Sequence, residues 1–201
     1  MSNCDENFHS PVGRNDFNVS VIIPAYNAGK YINSLCEALL NQDYPRELFE
    51  VIIVDNNSRD DTKEIALGFP FKVIDCTEKQ SSYAARNKGL IFAEGEIIAF
   101  TDADCLPEKT WLSEGLDSFS DKKNDIVSGK VNFIFSNNCS PAELFDSIFY
   151  LDSEHSVTRN KAQTANLFVK RSLFDEIGNF AEIKSGGDSL WTSKAVKKGY
   201  N

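Results

Sequence analysis

Four short apolar runs recur along the first half of the chain, and each ends at polar loop residues. Runs of this length and composition predict buried β-strands, at 19–23, 51–54, 71–74 and 97–100. The segments between them carry apolar residues at helical spacing, which predicts helices over 31–42, 61–68 and 81–93. Asp61 and Glu64 have the spacing of a capping box at the start of the second helix.

Strands this apolar cannot leave one face of a sheet in water. Their alternation with helices therefore predicts an α/β fold, with a Rossmann-like, mainly parallel sheet covered by helices on both faces. We expect one domain over residues 18–201, preceded by a loose polar leader at 1–17 that holds no site. In such sheets ligands bind beyond the carboxyl ends of the strands.

Polar residues follow three of the predicted strands, at 24–27, 55–57 and 102–104. We expect these segments to converge on one edge of the sheet. In an extended segment Asp102 and Asp104 would project to the same side, so both carboxylates could hold one Mn²⁺ or Mg²⁺ ion. A turn in which the two aspartates bind backbone groups is the alternative.

The second half of the chain is less regular. We expect Pro107 in the first turn of a helix, a strand over 126–135, and a helix started by a capping box at Ser140 and Glu143. Four residues of that last helix would point inward: Leu144, Phe145, Ile148 and Leu151. The polar stretch 152–163 lacks periodicity and predicts a loop or a lid over the site.

The formal net charge of -9 argues against a nucleic-acid partner, because such binding needs clustered lysine and arginine. An acidic protein that binds a phosphorylated ligand needs a cation to screen the ligand's charge. Five scattered cysteines predict free thiols in a reducing compartment. Without a membrane span or signal peptide in the sequence, we expect a cytoplasmic location.

The ordered segments VSVIIPAYN, VIIVDNNSRDDT, AARNKGLIFAEGEIIAFTDADC and GGDSLW resemble the signature of family 2 glycosyltransferases. The resemblance covers residues 19 to about 199. It implies a GT-A fold, a nucleotide-diphosphate sugar donor, a divalent metal, and direct displacement with inversion at the anomeric carbon.

The resemblance implies roles for residues that would bind the donor's nucleotide. Pro24, Ala25 and Tyr26 would line the nucleotide pocket, and Asp55 would accept a hydrogen bond from the base. The ring N–H of uracil fits that role. For Asp55 the alternative is a turn aspartate before a helix. Asn56 departs from the acidic or small residue often present there, which leaves the identity of the base open.

The family pattern also assigns charged residues to the diphosphate. Arg86, in AARNKG, would meet a phosphate as a charged fork, or else lie exposed on its helix. Asp102 would lie toward the ribose and the metal. Asp104 would be the more direct ligand of the Mn²⁺ or Mg²⁺ ion.

The family's general base comes from an ED motif, and the matching place here reads Gly186-Gly187-Asp188. The aspartate remains, while Gly187 replaces the glutamate. Asp188 is therefore the candidate base. Alternatively, Asp188 caps a helix that begins near Ser189.

Three other side chains carry weaker signals. Trp191 could stack on a sugar ring, although an aromatic residue in an amphipathic helix more often belongs to the core. His155 lies in the polar loop without a visible partner, which favours a plain exposed histidine over a metal ligand or a base. Glu182, before the glycines, has no assigned role.

The expected activity is transfer of a sugar, from a UDP-sugar in first place, to a hydroxyl of a saccharide or lipid-linked acceptor. Membrane contact is expected only peripherally or through further segments, since the family generally continues into additional helices. A catalytically inactive sugar-nucleotide-binding domain is one alternative. A sugar nucleotidyltransferase is another, although no glycine-rich phosphate loop with a lysine follows the first strand.

Overall fold

The computed structural model describes residues 18–135, 139–149 and 161–201. The strands are β1 (Val19–Ala25), β2 (Phe49–Asp55), β3 (Lys72–Asp75), β4 (Ile97–Phe100), β5 (Ile126–Ser128) and β6 (Leu167–Lys170). The helices are α1 (Ile32–Leu40), α2 (Thr62–Leu67), α3 (Ser82–Phe92), α4 (Trp111–Asp117), α5 (Pro141–Phe149), α6 (Ser172–Ile177) and α7 (Gly187–Lys197).

The strands form one sheet in the order β3-β2-β1-β4-β6-β5. The first four strands along the chain run parallel to one another. β6 runs antiparallel to both of its neighbours, β4 and β5. The prediction of a mainly parallel sheet is therefore confirmed. Ala25 pairs with Asp55 and Asp55 with Asp75, so β1, β2 and β3 end at the same edge.

Alternate side chains of the strands enter two apolar cores, one on each face of the sheet. On β1, Ile22 belongs to the core shared with α3 and α7. Val21 and Ile23 belong to the core shared with α1. Helices thus cover both faces, as predicted.

Four aromatic rings form the centre of the first core: Phe100, Phe174, Phe180 and Trp191. Trp191 is 3% exposed and its ring lies 4.6 Å from that of Phe174, measured between centroids. Its indole N–H donates to the carbonyl of Gly178 at 2.6 Å. The core interpretation of Trp191 is confirmed, and stacking on a sugar is excluded by its burial.

Two predicted elements have different bounds in the structure. β5 ends at Ser128 instead of continuing to 135, because its partner β6 begins only at Leu167, after a 3₁₀ turn at Thr164–Asn166 that offers no strand to pair with. The Asn166 carbonyl accepts the N–H of Gly129 at 3.1 Å, and its side chain donates to the Lys130 carbonyl at 3.0 Å. The prediction that Pro107 lies in the first turn of a helix is wrong, because Pro107 lies in a loop four residues before α4. In this loop the Glu108 carbonyl accepts a hydrogen bond from the Gln42 side chain.

One predicted capping box forms and the other does not. Ser140 and Glu143 exchange backbone-to-side-chain hydrogen bonds at 2.7 and 3.2 Å, as predicted. Asp61 makes no cap at the start of α2. Its neighbour Asp60 accepts the Thr62 N–H instead, and its other oxygen accepts the Gly29 N–H. Asp60 thereby joins α2 to the loop after β1.

The inward face predicted for α5 is wrong where the structure describes it. Leu144 and Phe145 are each 52% exposed. Helical periodicity identifies an amphipathic helix but not the surface that covers its apolar stripe. The side chains of Ile148 and Leu151 lie outside the described residues, as do residues 152–160 of the loop predicted over 152–163, which include His155. No helix in the described ranges is long and apolar enough to cross a membrane.

Candidate active site at the carboxyl edge of the sheet

The loops after β1 and β2 turn at asparagines with left-handed backbones. Asn27 has φ 49° and Asn57 has φ 66°, a region that asparagine tolerates better than most residues. The side-chain oxygen of Asn27 accepts the backbone N–H of Arg59 at 2.8 Å, and the backbone N–H of Asn27 donates to the Ser58 hydroxyl at 3.0 Å. The two loops are therefore held against each other beside the strand ends.

A cleft of about 240 Å³ opens where β1 and β2 end. Its lining comes from the end of β1 and the residue after it, from the residue that follows β2, and from the start of α3 with the loop before it: Pro24, Ala25, Tyr26, Asn56, Gln80, Ser81 and Ser82. Tyr26 is 46% exposed, so its ring is open to a ligand. The three residues predicted to line a nucleotide pocket thus share one cleft.

Asp55 combines burial with unused hydrogen-bonding capacity. It is 5% exposed, and its Oδ2 accepts the N–H of Ser58 at 3.2 Å, as a turn aspartate would. Its Oδ1 is buried without a hydrogen-bond donor among the described residues. A buried acceptor without a donor is costly, so a ligand N–H at this oxygen would be stabilising.

Asn56 is a structural residue that the sequence did not identify. Its side-chain amide donates to the carbonyls of Cys76 and Lys79, both at 2.8 Å. Its side-chain oxygen accepts the N–H of Ser81 at 2.7 Å. Asn56 therefore fixes the loop between β3 and α3, which forms one wall of the cleft. An acidic residue here could accept the Ser81 N–H but could not donate to the two carbonyls.

Arg86 is buried, so the alternative of an exposed helix arginine is wrong. Its side chain is 4% exposed, and it forms an ion pair with Oδ1 of Asp102. Its guanidinium also lies 5.4 Å from the centroid of the Tyr83 ring. Burial raises the pKa of the Asp102 carboxyl, Arg86 acts against that rise, and the charges of Asp104 and Asp188 add to it.

The segment 102–104 is a turn, and the predicted extended geometry is wrong. The Asp102 carbonyl accepts the N–H of Cys105 at 3.0 Å, which closes the turn directly after β4. The Asp104 side chain is exposed, whereas Asp102 is half-buried. The two carboxylates remain close enough for the charge of Asp104 to raise the pKa of Asp102.

This pair fits a divalent metal that is shared with a ligand. No cluster of three or more metal-binding side chains occurs in the part of the chain that the structure describes. Mg²⁺ is commonly held by one or two carboxylates together with phosphate oxygens and water, and Mn²⁺ accepts similar oxygen ligands. Asp104 and the free oxygen of Asp102 offer that partial set.

Asp188 lies in the first turn of α7, where three elements meet. The helix begins at Gly187, after Gly186 with φ 78°, so Asp188 does not cap a helix start near Ser189. Its Oδ1 accepts the Tyr83 hydroxyl at 3.0 Å and the Ser189 N–H at 2.8 Å. Its Oδ2 accepts the N–H of Thr164 at 3.1 Å and the Thr164 hydroxyl at 3.4 Å.

Glu182 has a structural role that the sequence did not assign. Its carboxylate pairs with Lys79 at 3.2 Å, and the Lys79 ammonium also donates to the Glu182 carbonyl at 2.9 Å. The Asn87 amide donates to the carbonyl of Phe180 at 2.9 Å. These contacts bind the segment before α7 to α3 and to the cleft wall.

The fold and the site define a class of protein. A doubly covered, mainly parallel sheet carries a cleft, a pair of carboxylates and a third carboxylate at its carboxyl edge, which is where α/β proteins bind nucleotides. The family model "Glycosyl transferase family 2" matches residues 20–178. The chain belongs to this family, and its fold is the GT-A fold.

The chain is similar to three known proteins. Glycosyltransferase AglE of Haloferax volcanii is 40% identical over 190 residues, which are 91% of this chain and 62% of AglE. TarS 1–349 of S. aureus in complex with UDP is 27% identical, with a TM-score of 0.68, over 89% of this chain and 55% of that one. The mannosyltransferase PcManGT of Pyrobaculum calidifontis, in complex with GDP-Man and Mn²⁺, is 27% identical, with a TM-score of 0.70. The match covers 92% of this chain and 54% of PcManGT. The chain thus spans less than two thirds of each.

Proposed function

We propose that this protein is an inverting glycosyltransferase that moves a sugar from a UDP-sugar to a hydroxyl of a saccharide or lipid-linked acceptor. The observation that carries the proposal is the meeting of Asp102 and Asp104 with Asp188 beside the cleft. Asp188 lies more than eighty residues further along the chain, yet α3 contacts both sides of the site: Arg86 pairs with Asp102, and the Tyr83 hydroxyl donates to Asp188 at 3.0 Å. The carboxylates therefore lie around one segment of α3.

The cleft supports binding of the donor's nucleotide. Oδ1 of Asp55 lacks a donor among the described residues, and the ring N–H of uracil would supply one. Pro24, Ala25 and Tyr26 would contact the base and the ribose. TarS, which binds UDP, supports uracil, whereas the mannosyltransferase binds GDP-Man. GDP-sugars therefore belong in any test of the donor.

Asp104 and Asp102 would hold Mn²⁺ or Mg²⁺. Such an ion supplies positive charge to the leaving diphosphate. Arg86 pairs with Asp102 on the buried side, and its guanidinium would share the charge of a diphosphate held beside that carboxylate. Both cations would offset the repulsion between an acidic protein and its donor.

Asp188 would be the general base. The acceptor oxygen attacks the anomeric carbon from the face opposite the diphosphate, its proton passes to Asp188, and the nucleotide diphosphate leaves with the bonding electrons. Oδ2 is the oxygen that can take this proton. The Thr164 hydroxyl is its most distant partner, at 3.4 Å, and the acceptor hydroxyl would replace it.

One observation favours a binding-only domain instead. A carboxylate has about four lone-pair sites, and Asp188 already receives four hydrogen bonds. If none of the four donors leaves, Asp188 is a structural brace between α3, α7 and the segment before β6. Donor binding would then occur without turnover.

Calorimetric titration with UDP and Mn²⁺ tests the donor site, with GDP as the competing nucleotide. We expect UDP to bind only when Mn²⁺ or Mg²⁺ is present. Asp104→Ala should abolish this metal-dependent binding, while Asp117→Ala, which removes an exposed carboxylate on α4, should leave it unchanged. Folded protein that binds no UDP at millimolar ligand would refute the proposal.

Release of UDP from a panel of UDP-sugars and acceptors tests the transfer step. We expect slow release with water and faster release with the correct acceptor. Asp188→Asn should keep the affinity for UDP and lower turnover by about a hundredfold or more, the usual loss for a missing general base. Donor binding without any turnover in the unmodified protein would favour the binding-only domain.

A further inference from the structure

Tyr83 connects α3 to the first turn of α7 through a single side chain. It is 6% exposed, and its hydroxyl donates to Oδ1 of Asp188 at 3.0 Å. Its ring packs against Phe180, with the centroids 5.9 Å apart. The hydroxyl therefore reaches Asp188 from a ring whose position is fixed by the core.

The ring occupies this position because residue 187 has no side chain. A Cβ built on Gly187 would lie 3.0 Å from two carbons of the Tyr83 ring and 2.8 Å from the carbonyl oxygen of Ala181. Real Cβ atoms essentially never come that close to a backbone oxygen. A glutamate at 187, the residue of the family's ED motif, would displace either the ring or the segment before α7.

We infer that Tyr83 is a positioning residue for Asp188, the proposed base. Its ring can lie beside Asp188 because Gly187 has no side chain, whereas the family's ED motif has a glutamate at this position. The inference rests on the proposed function, since it presupposes that Asp188 accepts the proton. Tyr83 and the Ser189 N–H together hold Oδ1, at 3.0 and 2.8 Å. The carboxylate is thereby oriented so that Oδ2 is the oxygen available to the acceptor hydroxyl.

The protonation state of Tyr83 agrees with this role. Burial raises the pKa of the Tyr83 phenol, and the negative charge of Asp188 raises it further. The phenol therefore keeps its proton and remains a hydrogen-bond donor at neutral pH. Tyr83 itself touches no reacting atom and is not a catalytic residue.

Tyr83→Phe is the direct test, because it removes one oxygen and keeps the ring. We expect kcat for acceptor-dependent UDP release to fall about tenfold, as for loss of one hydrogen bond to a charged group. The Kd for UDP with Mn²⁺ should stay within about twofold, since Tyr83 is not among the residues that line the cleft. Tyr44→Phe is the matched control: it removes a hydroxyl that is hydrogen-bonded to Asn18, remote from the site, and should leave kcat unchanged.

A double-mutant cycle separates positioning from general stability. If Tyr83 acts through Asp188, the Tyr83→Phe change should cost nothing further in an Asp188→Asn background. Gly187→Ala should lower kcat as Tyr83→Phe does, because the added methyl displaces the ring. The inference would be overturned if Tyr83→Phe lowered kcat equally in the unmodified and the Asp188→Asn backgrounds, or if it left kcat unchanged. It would also be overturned if the Kd for UDP rose in proportion to the fall in kcat.

Two further outcomes are distinguishable. A Tyr83→Phe chain that does not fold would also overturn the inference, because the hydroxyl would then be needed for the fold. Full turnover by Asp188→Asn would refute the proposed base itself, whatever Tyr83→Phe does.

Discussion

At the scale of single residues, the site is defined by polar atoms whose partners are incomplete. Oδ1 of Asp55 is buried without a donor, and the Nε of Arg86 is likewise buried without an acceptor among the described residues. Folded proteins leave few such atoms, since each costs about 1–3 kcal/mol. Their occurrence on two elements that border the same sheet edge supports the proposal that a polar ligand binds there.

Asp55→Ala separates binding from folding. Removal of the buried acceptor should weaken the affinity for UDP about tenfold or more, and it should leave the melting temperature unchanged or raise it, because an unpaired carboxylate oxygen is removed. Calorimetry and thermal unfolding measure the two effects. Asp75→Ala is the matched control, because Asp75 lies beside Asp55 in the sheet but pairs with Lys63 in solvent. Unchanged UDP affinity with a lower melting temperature would make Asp55 a turn residue only.

At the scale of elements, the side chain of Asn56 holds the loop between β3 and α3 at several points. Asn56 is 3% exposed and makes three hydrogen bonds to this loop. Because the loop contributes Gln80 and Ser81 to the cleft, we expect its order to affect the affinity for the proposed donor.

Asn56→Asp should loosen the loop without removing a side chain. Carboxylate oxygens would face the carbonyls of Cys76 and Lys79, so we expect a loss of about 2–4 kcal/mol in the free energy of unfolding. Hydrogen exchange should accelerate for the amide of Ser81 and its neighbours but not for the strands. Exchange that is unchanged throughout 76–82 would contradict the role of Asn56.

The first helix supplies a pH dependence of stability. Burial raises the pKa of the Cys36 thiol from 9.0 to about 12. The folded state therefore keeps this proton while the unfolded state loses it, so the stabilisation is complete below pH 9 and is lost as pH rises toward 12. The slope should approach roughly 1.4 kcal/mol per pH unit in that window. Denaturant unfolding of Cys36→Ala should show a shallower decline between pH 9 and 11; equal slopes would contradict the prediction.

At the scale of the whole molecule, the two ends of the parallel strands differ: the candidate site lies at the carboxyl edge, and a buried polar network lies at the amino edge. The carboxyl edge carries the cleft and the carboxylates. The amino edge carries a closed polar network, in which the buried Ser20 hydroxyl donates to Glu50 at 2.7 Å and accepts the Gly95 N–H at 2.9 Å. A Cβ on Gly95 would lie 2.5 Å from the backbone nitrogen of Ser20, so this close approach requires glycine.

Gly95→Ala should therefore destabilise the fold without affecting the site. We expect a loss of about 1–3 kcal/mol, as for other insertions into a well-packed interior. The Kd for UDP with Mn²⁺ should remain unchanged below the melting temperature. A change in Kd larger than the change in stability explains would show that the two edges are coupled.

Local patterns predicted most of the fold, because apolar runs and helical periodicity report burial directly. β1, β2 and β4 lie where the sequence indicates, and the carboxyl edge follows from them. The sequence left the turn at 102–104 as an alternative to the extended geometry, because a short polar segment has no periodicity that would decide between them. Contacts such as Tyr83 to Asp188, 105 residues apart in sequence, depend on packing that no local pattern encodes. The roles of Asp55, Arg86, Asp102, Asp104 and Asp188 stay predictions.

Anomalous X-ray scattering at the manganese edge, from crystals grown with UDP and Mn²⁺, tests the central claim most directly. We expect one strong peak within about 2–2.6 Å of an Asp104 oxygen and of the diphosphate, the range for oxygen ligands of such ions. The uracil should lie against Asp55 in the same crystals. A manganese peak elsewhere, with the Asp102 and Asp104 carboxylates bare while UDP is bound, would contradict the claim.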